Sequence, residues 1–190
     1  MGKKLSEMTL EELWQFFPIL LKEHQDCWKE WYAEEETLLH EKLQGCAVRI
    51  SHVGSTAVKS IWAKPIVDIL VEVPAGTDME SFVQVLGQCG YRCMNQSAGR
   101  MCFNKGYTEN GFAEKVFHLH LRRWGDNDEL YFRDWLNAHE EDAKRYEAMK
   151  LSLWKRYEHD RDGYTAEKTE MVAEITDRAK KAYGGRYGGV

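Results

Sequence analysis

The 190-residue chain lacks any apolar run approaching the roughly 20 residues that a membrane-spanning helix needs. Its opening residues, MGKKLSEMTLEELW, have no apolar centre of the kind a signal peptide carries, so no membrane partner is expected and the expected compartment is the cytoplasm. Basic residues are in the minority, 26 Lys and Arg against 31 Asp and Glu, for a net charge of -5. That balance argues against broad electrostatic binding of nucleic acid and leaves room only for a local basic pocket. Arginines interleaved with aromatics in a basic field are missing too, so Trp28, Trp31, Tyr32, Trp135, Tyr146 and Trp154 read as helix-packing core rather than a base-stacking platform. Five cysteines, an odd number at irregular positions, do not make a disulfide framework. Cys89, Cys93 and Cys102 lack zinc-ribbon spacing and read as buried thiols. Neither repeats nor a linker interrupt the sequence, so residues 1–183 are expected to form a single domain followed by a flexible tail over 184–190. Nothing in the sequence speaks to oligomeric state.

What is present is a patterned chain with 43% hydrophobic residues, enough for a well-formed core. Thr9 with Glu12 makes a capping box for a short helix that Pro18 ends. Trp28, Trp31, Leu38, Leu39 and Leu43 recur at helical spacing over 26–43, and Gly45 closes that helix. Val48 and Ile50 alternate with Arg49 and Ser51, and a denser apolar run spans Ile66 to Val73; these are the expected central strands. A helix capped by Thr77 and Glu80 follows, then strands at 91–94, 100–104 and 115–121, whose short links favour antiparallel pairing. After Trp124 the chain is expected to be helical, opening on an Asp126–Glu129 box, with stripes of Tyr146, Met149 and Leu153 and of Met171, Val172 and Ile175.

The chemistry concentrates between Ile50 and Val73, ISHVGSTAVKSIWAKPIVDILVEV. Gly54 lets the backbone approach a ligand closely, and N–H groups of a Gly54-Ser55-Thr56 turn suit phosphate oxygens. Asp68 offers a carboxylate, a ligand hard cations prefer. Alternation along the strand puts Leu70 and Glu72 on the Asp68 face, with Glu72 roughly 7 Å away by strand rise. The same rule puts His118 and His120 on one face, away from Phe117, Leu119 and Leu121. Adjacent helical residues point about 100° apart, so Arg133 and Asp134 read as separate docking salt bridges rather than one pair.

Four blocks in order, HVGSTAV with AKPIVDI (52–69), GRMCFNKG (99–106), FHLHL (117–121) and YFRDWLNAHEEDAKRYEAMK (131–150), resemble the GrpB family. The resemblance covers nearly the whole chain. It implies an α+β fold of nucleotidyltransferase type, a mixed sheet flanked by helices with a helical C-terminal third. It further implies that the His118–His120 strand lies beside the Asp68 strand, so that Asp68, His118 and His120 converge as catalytic groups and as ligands of a divalent ion, magnesium, manganese or zinc. Gly54, Ser55, Thr56, Lys64, Arg100 and Lys105 would hold phosphate, with Lys168 and Tyr164 closing the pocket from the last helix. Leu70 departs from the paired carboxylates of active enzymes of that fold, and Ser60-Ile61 from the family's Pro-Gly. The expected partner is a small phosphorylated or anionic molecule, and the expected activity is nucleotidyl or phosphoryl transfer. A non-catalytic nucleotide or coenzyme A-related binding protein, and an interaction module built on the C-terminal helices, are the alternatives.

Overall fold

The computed structural model describes residues 3–188. Its five strands are β1 (Arg49–Val53), β2 (Val67–Val73), β3 (Arg92–Ser97), β4 (Arg100–Thr108) and β5 (Gly111–Arg123). They form one mixed sheet in the order β1-β2-β5-β4-β3, and helices flank both faces, as the α+β expectation requires. β2 is antiparallel to β1 and parallel to β5, while β5, β4 and β3 form an antiparallel meander. A parallel pair cannot be closed by a tight turn. The crossover from β2 to β5 runs through α3 (Ser81–Gln88) and the β3–β4 hairpin.

One sheet face is apolar. Ile69 and Val71 of β2, Phe103 of β4 and Leu119 and Leu121 of β5 are buried there against Trp28 and Leu39 of α2 (Cys27–Leu43) and Phe82 and Leu86 of α3. Each such side chain contributes about 1.5–3 kcal/mol by leaving water. The opposite face bears the polar set of β2 and β5 and is covered by α4 (Asp128–Ala138), α5 (Glu140–Trp154) and α6 (Arg161–Tyr183). Val53, Leu70 and Leu130 form a small core there, and Tyr131, Trp135, Tyr146 and Ile175 pack the three helices together. No helix among the described residues is long and apolar enough to cross a membrane.

The capping box before α1 (Leu10–Phe16) forms, with the Glu12 N–H donating to Thr9 Oγ1 at 3.2 Å and the Thr9 N–H to Glu12 Oε2 at 2.7 Å. The other two expected boxes do not. α3 begins only at Ser81, and Asp126 precedes the Asn127 cap of α4 and is paired with Arg100 instead. Arg133 and Asp134 also depart from expectation: they meet at 2.7 Å, while the Arg133 Nη1 donates to the His52 carbonyl at 2.9 Å. Helix α4 thereby docks on the end of β1. Residues 184–188, read in the sequence as the start of the tail, turn back; Tyr187 stacks edge-on against Tyr131, and its carbonyl accepts from Arg49. Residues 189 and 190 lie outside the described residues.

Candidate functional site

Parallel pairing of β2 with β5 sets Asp68 opposite His118 and Leu70 opposite His120. The expected convergence therefore occurs: Asp68 Oδ1 lies 3.1 Å from His120 Nε2 and 3.5 Å from His118 Nδ1. The remaining ring nitrogens are also engaged. His118 Nε2 meets the Tyr107 hydroxyl at 2.8 Å, and His120 Nδ1 lies 3.8 Å from Cys102 Sγ and 3.4 Å from Arg122 Nη2. Burial alone would raise the Asp68 pKa, yet the two imidazoles hold it well below the ordinary carboxylate range. Burial opposes charge on His120, but Asp68 and Cys102 lift its pKa to about 9. At His118 burial prevails over the same carboxylate and, helped by Lys64 and Arg161, lowers the pKa. The arrangement is a closed hydrogen-bonded cluster with a charged His120–Asp68 pair at its centre.

A resident metal does not fit this cluster. Both imidazoles approach the same carboxylate oxygen and have their other nitrogen occupied, and among the described residues no group of three or more His, Cys, Asp or Glu is arranged to hold a metal ion. The other carboxylates of the face give no help. Leu70 at the second position is buried beside Val53 and Leu130, and buried Glu72 is held by Arg49 Nε at 2.5 Å, Asn127 Nδ2 at 3.0 Å and the Gly125 N–H at 3.2 Å.

The Gly54 turn presses on the free side of the carboxylate. Gly54 has φ +70° and ψ -171°, and a Cβ there would sit 2.4 Å from Asp68 Oδ2. Ser55–Ala57 is a single 3-10 turn. The Thr56 hydroxyl is buried and bonded to His52 Nε2 at 2.9 Å, so it braces the turn from behind, and Tyr32 of α2 stacks on His52 at 4.8 Å. Burial lowers the His52 pKa to about 4, keeping that imidazole neutral.

Cations ring this carboxylate. Lys150 of α5, only 2% exposed, donates to Ser55 Oγ at 3.2 Å and to the Trp62 carbonyl. Lys64 and Lys168 flank the Tyr164 ring at 5.5 and 4.4 Å from its centroid, and Arg161 Nη2 donates to the Tyr107 hydroxyl at 2.9 Å. Their partners are neutral. Burial, reinforced by the neighbouring cations, pushes Lys64 and Lys150 down to about 7 and Lys168 to about 8. The Tyr164 hydroxyl is buried and has no partner among the described residues. A cavity of about 520 Å³, lined by Gly54, Arg100, Glu129, Phe132, Thr165 and Lys168, opens beside the turn.

The remaining expected phosphate ligands fare differently. Arg100 reaches the cavity, but its fork is closed on Asp126 by bonds of 2.7 and 2.6 Å. Lys105 points to the opposite sheet face, where Nζ lies 2.8 Å from both carboxylate oxygens of Glu35 on α2, and it takes no part in the site. Lys150, Arg161, Tyr107 and Cys102 were missed as site residues. Lys150 carries a signal in the sequence, since it interrupts an otherwise apolar stripe four residues after Tyr146; Arg161 carries none.

A family model described as GrpB protein matches residues 18–178. A UPF0157 protein of Pseudomonas aeruginosa is 39% identical over 158 residues, 82% of this chain and 65% of that relative. The glutamate-rich protein GrpB of Alkalihalophilus pseudofirmus is 37% identical over 163 residues, 83% of this chain and 93% of the relative. The crystal structure of a conserved GrpB protein from Enterococcus faecalis matches with a TM-score of 0.75 at 26% identity, over 86% of this chain and 99% of the other.

Proposed function

Given that this chain belongs to the GrpB family, whose model covers residues 18–178, we propose that it binds a phosphorylated small molecule or nucleotide at the cations gathered around Asp68. The observation that carries the reading is the partial burial of Lys64, Lys150, Arg161 and Lys168 beside one carboxylate that two histidines already hold. Buried cations without anionic partners oppose folding, and a bound phosphate dianion supplies the missing charge. Lys150 and Ser55 would take one phosphate oxygen and Lys64, Lys168 and Arg161 the others, Arg161 with a planar fork and the lysines as point charges. Asp68 holds the two imidazoles in place and keeps the pocket from accumulating excess positive charge.

Binding is favoured over two-metal transfer by the donor set. The second carboxylate position is Leu70, and Glu72 is engaged by three donors of its own. The interaction-module alternative draws little support, because Leu151 is the one large exposed apolar side chain of α5 among the described residues.

The test is a thermal-shift series with pyrophosphate and with a nucleoside triphosphate, each with chelator or with magnesium. At a hundredfold excess over Kd, a ligand of the native state stabilises by about 2.7 kcal/mol, which corresponds to a rise of roughly 5–10 °C for a chain of this size. The rise is expected in chelator and is expected to disappear in Lys64→Met/Lys168→Met. A rise that requires magnesium would contradict the metal-free reading.

A further inference from the structure

A second cavity shares its polar end with the cation cluster. It holds about 400 Å³, and both Lys64 and Arg161 line it. Its remaining walls are largely apolar and built from flat rings, those of Pro18, Trp31, Pro65 and Phe112. Lys22 and Glu114, both exposed, stand at its edge as a donor and an acceptor. The volume falls in the range of about 300–1,000 Å³ typical of small-molecule sites, which combine apolar walls with a few placed polar groups. The cavity on the α6 side is the poorer home for an apolar group, since Asp128, Glu129 and Asp177 line it.

Resting on the phosphate-binding reading above, we infer that the ligand is a phosphate ester carrying a planar aromatic group, with its phosphate on the Lys64–Arg161 side of the cluster and its ring between Trp31, Pro65 and Phe112. Flat apolar walls take a planar ring with large contact area and little loss of ligand freedom. The rim donor and acceptor suit the edge of a heteroaromatic ring. Lys64 is the joint between the two halves of the site: it lies in the cavity wall, and its charge is felt by the cluster around Asp68.

The experiment compares methyl phosphate with 1-naphthyl phosphate, which share a dianionic head and differ in the organic part, by calorimetric titration of the full chain. Naphthyl phosphate is expected to bind at least about tenfold more tightly, the effect of burying a modest apolar area. Ala113, exposed on β5, lines the cavity, so Ala113→Trp fills it from the outside. In that variant the advantage should disappear while methyl phosphate binds within about twofold of wild type and the melting temperature is unchanged. Equal binding of the two esters to wild type would overturn the inference and leave the phosphate reading standing. An advantage that survives Ala113→Trp but is lost in Thr169→Trp would move the ring to the α6 side and overturn it as well. Failure of both esters and of pyrophosphate to bind would overturn both readings.

Discussion

A chain carrying Lys150→Met is expected to melt higher than wild type at pH 6 and to lose most of its affinity for pyrophosphate. Lys150 is 2% exposed and has neutral partners, Ser55 Oγ and the Trp62 carbonyl. Methionine keeps most of the volume and removes a charge whose burial opposes folding. The pKa of Lys150 is about 7 in the fold, against an ordinary value of 10.5. Between those values the unfolded chain holds the proton and the folded chain has lost it, so wild-type stability rises with pH through this window. The penalty is fully present below pH 7, on the order of a few kcal/mol, and it fades toward pH 10. Losing the bonds to Ser55 and Trp62 returns about 1–2 kcal/mol of it. The advantage of Lys150→Met should therefore be largest at pH 6 and shrink as pH rises. Melting curves of the two chains at pH 6, 8 and 9.5 check this, and a variant that melts lower than wild type at pH 6 would show that the charge is compensated within the fold.

Gly54→Ala is expected to be severe in the opposite direction. With φ +70° and ψ -171° the residue occupies a region that is almost glycine-only. An L residue held there costs about 1–3 kcal/mol. The new Cβ would also lie 2.4 Å from Asp68 Oδ2 and 2.9 Å from Asp68 Cβ, so the carboxylate must move and its bonds to His118 and His120 loosen. A total of about 3 kcal/mol or more lowers the melting temperature by roughly 6–12 °C in a chain of this length. Phosphate affinity should fall with it, because the turn carries Ser55. A melting temperature within about 2 °C of wild type would show that the turn relaxes freely and that Gly54 is not fixed by its approach to Asp68.

Much of this site was legible in the sequence. The period of two along β2 and β5 places Asp68 and both histidines on one face whatever the rest of the fold does, and only the pairing of the two strands had to come from the family resemblance. Lys64 was legible because it directly precedes the β2 run. Lys105 was misjudged for a local reason. Gly106, at φ +92°, forms a bulge where an added Cβ would meet the Lys115 carbonyl at 2.4 Å. The inserted residue breaks the alternation, so Lys105 turns to Glu35 on the core face while Tyr107 turns to His118. Arg161 and Lys168 come from a helix that closes over the sheet, and no period in the sequence encodes that closure. The expected metal set failed because residue type does not reveal hydrogen bonding. Two imidazoles and a carboxylate can face an ion or each other, and here they face each other.

The central claim is that the cations around Asp68 are held partly uncharged until an anion arrives. Calorimetric titration of pyrophosphate at pH 8 in two buffers of different ionisation enthalpy measures it directly. Lys64 and Lys150, at about 7, and Lys168, at about 8, are largely or half deprotonated there, so binding should take up about one proton or more from the buffer. Binding without proton uptake, or no binding at all, would contradict the account.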